Sequence, residues 1–477
     1  MTRQPTTHPA THSENARQWV HVGSGLFALL LRVLTGWQAA AMAASALVFN
    51  LVLLPQLGGR RLYRPVDQAR GFPLGILLYP LSVLLLTLAF PSRLDIAAAA
   101  WGILAFGDGA ATLVGRWASR LNAETAELAE QEKILSANSA NSAFLCSPLP
   151  WTREKTVAGT LAFVVCGSAA GVALAWWVRP AVTPMPPVAF TIAAPLAAAM
   201  LAALVETIPV RLDDNISVPM TAGLVLWIAS LVTAAPVAGA RDAMVASLPW
   251  AIGVNALTGW LGYRARTVSR SGAIVGALVG AIIYVGGGPG AWVLLLVAFL
   301  AASVTSRFGL ARKEQLGIAE ERGGTRGAGN AIANCGVAAV AAIAAVTTPH
   351  TSASLVALVA ALTAGGSDTV ASEIGKAWGR STFLVTTFSR VKPGTPGAIS
   401  LEGTAAGLVA AFALAASGVA LGLIPASAIL VIVAGATAGA LMESALGATL
   451  EGPGILNNDM LNFINTAVAA AVALALA

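Results

Sequence analysis

The sequence predicts an all-α fold: a polytopic transmembrane bundle of about fifteen helices in two fused modules, with a cytosolic N-terminus. Three observations carry this. Of 477 residues, 57% are hydrophobic and only 10% are charged, where soluble domains carry about 25%. Apolar runs of about 17–25 residues recur, each long enough to cross a hydrocarbon core of roughly 30 Å. Glycine is abundant, at 48 residues, as expected where helices approach closely in lipid.

The apolar spans fall at 19–35, 37–57, 73–90, 94–115, 156–178, 187–207 and 217–236, then at 243–262, 271–286, 290–306, 328–347, 353–372, 399–422, 425–445 and 460–477. The short ones are candidates for broken or re-entrant segments. With the N-terminus cytosolic, only Arg32, Arg93, Arg179 and Arg241 of the 28 lysines and arginines fall outside the cytosolic loops, as the positive-inside rule requires. A bacterial-type inner or plasma membrane is expected, with the polar clusters facing the cytosol. The formal charge of +6 then reflects topology and anionic partners, lipid headgroups or nucleotide phosphates, and nucleic acid is not an expected partner.

Residues 1–18 read as a disordered polar tail with no cleavable signal peptide. Cys146, Cys166 and Cys335 have no CxxC or metal-site spacing and read as free thiols. A first module is expected over 19–240 and a second over 241–477, joined near the Ala-Pro-Val-Ala-Gly-Ala segment at 235–240, with a solvated polar insertion at 121–150. The modules show no clear repeat, which suggests a fusion rather than a duplication.

In the first module, Gly107-Asp108-Gly109 interrupts an apolar helix and leads to Gly115-Arg116. An ionised Asp there costs about 2.5–3.5 kcal/mol, so it needs a partner or a hydrated site. An interhelical ion pair is the plainer alternative. Lys155-Thr156 precedes Gly159-Thr160 at a helix start, a place suited to phosphate, although Lys155 also fits a topology anchor. Glu206 ends an apolar helix ahead of Asp213-Asp214-Asn215. Carboxylates gathered at one membrane edge fit a hydrated Mg²⁺ bridging phosphates. Arg17 and His21 share one helical face.

The ordered set Arg17…His21…Gly25, Gly107-Asp108…Ala111…Gly115-Arg116, Lys155-Thr156…Gly159-Thr160 and Glu206…Asp214-Asn215…Val218-Pro219 resembles the dolichol kinase and phytol kinase family, itself related more distantly to phosphatidate cytidylyltransferases. The resemblance spans about residues 15–236 and departs from the family at Gln18, where a basic residue is expected. It implies a CTP-dependent kinase acting on a membrane-embedded prenyl alcohol. Asp108, Glu206 and Asp214 would then serve Mg²⁺ or proton removal, and Arg17, His21, Arg116, Lys155, Thr156 and Asn215 would contact nucleotide or phosphate.

In the second module, Arg322-Gly323-Gly324-Thr325-Arg326-Gly327 opens a helix carrying Asn330 and Asn334 on one face. A Gly-rich, Arg-bearing loop can cradle phosphate, and it is also what a positive-inside loop looks like. Asp368 and Glu373 stand near the end of an apolar helix, followed by Arg390, Lys392 and Thr395. Asn458, Asn462 and Asn465 form an amide stripe that must face the bundle interior.

Asn330-Asn334, Asp368-Thr369…Ser372-Glu373, Val391-Lys392-Pro393-Gly394-Thr395…Ser400, Glu443-Ser444…Gly447 and Asn458-Asp459…Asn462 resemble a second membrane family, long uncharacterised, that includes the phytyl-phosphate kinases of plastid tocopherol biosynthesis. This resemblance spans about 245–477. It implies conversion of a prenyl monophosphate to its diphosphate with CTP. Asp368, Glu373 and Asp459 would be the metal or catalytic carboxylates, and Arg326, Asn330, Asn334, Arg390, Lys392, Thr395, Asn458 and Asn462 the phosphate contacts. A lipid-phosphate cytidylyltransferase and a secondary transporter are the rival readings.

Overall fold

The computed structural model describes residues 14–57, 73–132, 147–149, 152–207, 213–318, 325–452 and 456–477. Most of the N-terminal tail, residues 133–146 of the insertion with Cys146, and Arg322-Gly323-Gly324 lie outside them. The chain forms two compact units, residues 1–230 and 231–477.

The first unit runs α1 (Glu14–Ser24), a 3₁₀ turn (Gly25–Arg32), α2 (Gly36–Val48), α3 (Leu74–Ala89), α4 (Leu94–Gly102) and α5 (Gly109–Glu132). A short hairpin of β1 (Pro148–Leu149) and β2 (Thr152–Thr156) follows, then α6 (Val157–Val178), α7 (Val188–Glu206) and α8 (Asp214–Ser230). The core centres on the almost wholly buried α4, whose run Ile96–Ala100 carries only small or aliphatic side chains at 0–2% exposure.

The second unit runs α9 (Ala234–Arg264), α10 (Arg270–Arg307), α11 (Leu310–Gln315), α12 (Ala328–Thr347) and α13 (Thr351–Trp378). After the β3 (Thr382–Leu384) and β4 (Ala398–Ser400) hairpin come α14 (Leu401–Ala420), α15 (Ile429–Leu446) and α16 (Asn458–Leu476). Its core centres on α13, where Leu358–Ala361 are fully buried.

Among the described residues, eleven helices are long and apolar enough to cross a membrane, and Leu74–Ala89 is a shorter apolar one. The fold is the expected helical membrane bundle. Each of the fifteen apolar spans corresponds to a helix or half a helix, but the crossing-competent helices are fewer. Three physical reasons account for the difference. Leu74–Ala89 and Asp214–Ser230 are 16 and 17 residues long, at the short limit for a span. Residues 19–35 divide between α1 and a 3₁₀ turn. Spans 271–286 and 290–306 are joined as α10, which breaks at Gly288 (φ 79, ψ 176), beside Pro289. Arg307 Nη2 donates to the Ala265 carbonyl at 3.0 Å, so α10's end returns to the loop before its start, and its two halves form an antiparallel hairpin. Helix α9 begins at Ala234, so residues 235–240, near which the two modules are expected to join, form its opening turns, with Pro236 where a helix tolerates proline.

Candidate functional site

In the first unit, α4 passes into α5 through a π-helical segment, Ile103–Asp108, and Asp108 closes it. Such π segments recur at functional sites. Small residues let α6 approach it: a Cβ on Gly107 would lie 3.0 Å from the Phe163 ring. Helix α6 begins at Thr156, whose Oγ1 accepts the Gly159 N–H at 3.1 Å, a side-chain N-cap. One residue earlier, Lys155 Nζ donates to Glu206 Oε1 at 2.5 Å and to Asp214 Oδ2 at 3.1 Å. Carboxylate oxygens of Asp108, Glu206 and Asp214 lie within 4.8 Å of one another. Burial alone pulls the Lys155 amine down, but Asp214 and Glu206 outweigh it and hold the amine above its ordinary value.

His21 reaches this cluster from α1. Its Nε2 is 3.5 Å from Asp108 Oδ2 and 3.3 Å from the Leu104 carbonyl. Tyr79 meets the His21 ring edge-on at 4.6 Å, and its hydroxyl accepts the Trp101 N–H at 2.8 Å. Arg17, Asp213 and Asn215 converge on Gly75, where a Cβ would lie 3.0–3.3 Å from all three side chains. The Asn215 amide donates to Asp213 Oδ1 at 2.7 Å, and its own Oδ1 is buried with no hydrogen-bond partner. Arg116 sits on the exposed face of α5, about two turns past Asp108.

Beside the cluster is an apolar cavity of 360 Å³ between α1, α2 and α3. Arg17, His21, Tyr79 and Trp101 line one part and Phe27, Ala43, Phe49 and Val83 the rest. Phe27 and Phe49 are more than 40% exposed, so the cavity opens to the outside of the unit.

In the second unit, a 350 Å³ cavity gathers Arg326, Asn330, Asn334, Asp368, Ser372, Lys376, Thr395, Ser400, Glu443, Asn458 and Asn462 from four helices, the turn before α12 and the β3–β4 segment. Asn334 donates to the Asn330 carbonyl at 3.0 Å, while its Oδ1 is buried without a partner. Glu443 Oε2 is likewise buried and unpartnered. Arg326 and Asn330 also border a second, apolar cavity of 460 Å³ formed by α9, both halves of α10 and α12.

Of the expected residues, the structure brings Asp108, Glu206, Asp214, Lys155, Thr156 and His21 together in the first unit. It brings Asp368, Arg326, Asn330, Asn334, Thr395, Asn458 and Asn462 together in the second. Arg17 and Asn215 meet at Gly75, and five others lie elsewhere, Arg116 on the exposed face of α5 among them. Glu373 is 1% exposed and bound to Lys313 and Lys376, off the cavity wall. Arg390 packs over the Phe383 ring, Lys392 is exposed, and Asp459 lies against Gly329. Tyr79, Trp101 and Gly75 escape sequence reading because an aromatic or a glycine inside an apolar run carries no polar signal.

The family comparison is consistent with this membrane architecture. The integral membrane protein family DUF92 matches residues 253–470, and the chain belongs to it. An uncharacterized membrane protein of Synechocystis sp. is 40% identical over 200 residues, covering 41% of this chain and 78% of that protein. Protein VTE6, chloroplastic, of Arabidopsis thaliana is 36% identical over 214 residues, 43% of this chain and 64% of that protein. An uncharacterized membrane protein of Methanocaldococcus jannaschii is 32% identical over 206 residues, covering 84% of its length. No solved structure matches.

Proposed function

We propose that the protein is a bifunctional prenol kinase. The first unit phosphorylates a prenyl alcohol such as phytol, geranylgeraniol or farnesol, and the second converts the monophosphate to the diphosphate, with CTP as donor at the cytosolic face. The observation that carries the reading is the Asp108–Glu206–Asp214 cluster, in which Lys155 bridges Glu206 and Asp214, set beside an apolar, open cavity. The match of the DUF92 family to residues 253–470 and the likeness of 43% of the chain to Protein VTE6, together with the resemblance of the second unit's motifs to phytyl-phosphate kinases, support the second step.

Phosphoryl transfer needs positioning and charge neutralisation more than covalent help. The three carboxylates are a hard-oxygen donor set that fits Mg²⁺, which when bound would neutralise phosphate charge. The prenyl chain lies in the cavity lined by Phe27, Ala43 and Val83, with its hydroxyl towards His21 and Asp108. The hydroxyl oxygen attacks the terminal phosphorus of CTP, the bond to the bridging oxygen breaks, and CDP leaves. The hydroxyl proton passes to Asp108, directly or through His21. Lys155 and Arg17 hold phosphate oxygens. In the second unit the incoming phosphate is held by Arg326 and Lys376, with Asn330, Asn334, Asn458 and Asn462 orienting it.

The test uses purified protein in nanodiscs with Mg²⁺, labelled CTP and geranylgeraniol, products being separated over time. Monophosphate that then converts to diphosphate supports both steps. A CDP-lipid with released pyrophosphate would identify a cytidylyltransferase instead, and no phosphorylated lipid would defeat the kinase reading.

A further inference from the structure

The two units repeat one pattern in the same order. Each has one long helix that is 78% buried across its apolar window, Leu94–Leu121 and Thr351–Trp378, where no other candidate span exceeds 39%. Each buried helix carries Asp, then Ala three residues on and Gly-cation seven and eight on: Asp108, Ala111, Gly115-Arg116 and Asp368, Ala371, Gly375-Lys376. A two-stranded hairpin follows in each, ending on a side-chain N-cap. Thr156 Oγ1 accepts Gly159 N–H and Ser400 Oγ accepts Gly403 N–H, both at 3.1 Å, and a Thr follows each glycine.

Packing reproduces the register. A Cβ on Gly115 would sit 3.7 Å from Gly159 Cα, and one on Gly375 would sit 3.7 Å from Gly403 Cα. A Cβ on Gly159 meets the Ala111 carbonyl at 3.0 Å, and one on Gly403 meets the Ala371 carbonyl at 2.6 Å. The next helix contains Ala203-Leu204-Val205-Glu206-Thr207 in the first unit and Ala440-Leu441-Met442-Glu443-Ser444 in the second. The last opens on Asp213-Asp214-Asn215 and Asn457-Asn458-Asp459 respectively.

We infer that the units are two copies of one site frame, and that the second cavity holds a divalent cation on Asp368 and Glu443, the counterparts of Asp108 and Glu206. Glu443 thereby replaces Glu373 and Asp459 as the partner of Asp368, and the expectation of a fusion without duplication is revised. An independent sign of a ligand is that Glu443 Oε2 and Asn334 Oδ1, on the wall of this cavity, are buried and have no partner, a state that proteins rarely leave uncompensated.

The register also shows where the copies differ. Asn458 stands where the first unit has Asp214, so this frame position carries an amide in the second site, whose third carboxylate, Glu451, comes instead from the π-helical turn Gly447–Glu451. Resting on the kinase reading, the amide suits a lipid that already carries a phosphate, because such a lipid supplies its own anionic oxygens to the cation at that position.

Manganese binding tests the inference without relying on turnover. Mn²⁺ is titrated into the full-length protein and followed by electron paramagnetic resonance. One ion is expected in each unit. Glu443→Gln and Asp368→Asn should each abolish one site and leave the one that Glu206→Gln removes, and that surviving site is the internal control for folding. Asn458→Asp should tighten the second site several-fold. The inference is overturned if the wild-type protein binds no Mn²⁺, if Glu443→Gln and Asp368→Asn leave the stoichiometry unchanged, or if Asn458→Asp leaves the affinity unchanged or weaker. A kinase assay on the same preparation separates the two proposals: retained Mn²⁺ sites without phosphorylated lipid would defeat the kinase reading and leave the paired cation sites standing.

Discussion

Glu373 lies only five residues beyond Asp368 on α13, yet its carboxylate is bound to Lys313, and both residues are 1% exposed. Lys376 adds a second contact to the same carboxylate at 3.2 Å, and Lys313 Nζ also donates to the Ser306 carbonyl at 2.7 Å. The pair ties α11 to α13 and to the end of α10, beside the cavity that Asp368 faces. Removing one partner of a buried pair strands a charge and costs about 3–5 kcal/mol, whereas replacing both is often nearly neutral. Lys313→Met alone should therefore lower the thermal unfolding midpoint in detergent sharply. The Lys313→Met/Glu373→Leu double variant should recover most of the loss, and a loss in the double variant equal to the sum would argue against the pair.

Asp108→Asn should abolish alcohol phosphorylation while leaving monophosphate conversion intact, and Asp368→Asn should do the reverse. The two steps are assayed separately by supplying prenyl alcohol or prenyl monophosphate. Equal loss of both activities from either change would defeat the two-site arrangement.

Lys155→Met should lower the alcohol step by about 10²–10³-fold, the range for losing one preorganised charge-stabilising donor. The sign of its pH dependence follows from its neighbours. The folded-state amine titrates above its ordinary value because Asp214 and Glu206 outweigh burial. Its stabilisation is fully present below the ordinary lysine value and is lost only as pH rises through the higher folded value. The rate profile of the alcohol step should therefore show no limb from Lys155 between about pH 7 and pH 10.

Ala43 is 3% exposed and lines the apolar cavity beside His21. Ala43→Phe should raise KM for geranylgeraniol far more than for a short prenyl alcohol, with kcat on the short one changed little. Equal effects on both would place the chain elsewhere.

Gly403 packs so closely on α13 that a Cβ would lie 2.6 Å from the Ala371 carbonyl. Gly403→Ala should destabilise by about 1–3 kcal/mol, the usual cost of overpacking, read as a lower unfolding midpoint. Gly276, where a Cβ meets nothing within 4 Å, serves as the tolerant control.

The helical membrane class was legible because lipid leaves almost no other way to satisfy a backbone, and the polar interruptions at Asp108, Glu206 and Asp368 stood out against apolar runs. What stayed hidden depends on neighbours distant in sequence. Glu373 and Asp368 look alike on one helix, and only Lys313, 60 residues upstream, separates an ion-pair partner from a cavity carboxylate. The repeat was masked by unequal spacing. Thr156 follows Asp108 across the polar insertion and a short hairpin, while Ser400 follows Asp368 across a longer hairpin with no such insertion, so no constant period links the copies. Tyr79 and Trp101 were invisible because an aromatic inside an apolar helix reads as core.

The break at Gly288 bears on how this chain is threaded. A straight helix of 38 residues would extend about 57 Å, nearly double the hydrocarbon thickness, whereas the folded α10 has Arg307 reaching back to Ala265. The segment therefore enters and leaves by the same door. Accessibility labels placed at Thr267 and Leu310 should report the same compartment, and every helix downstream keeps the sidedness it would have had if α10 were absent.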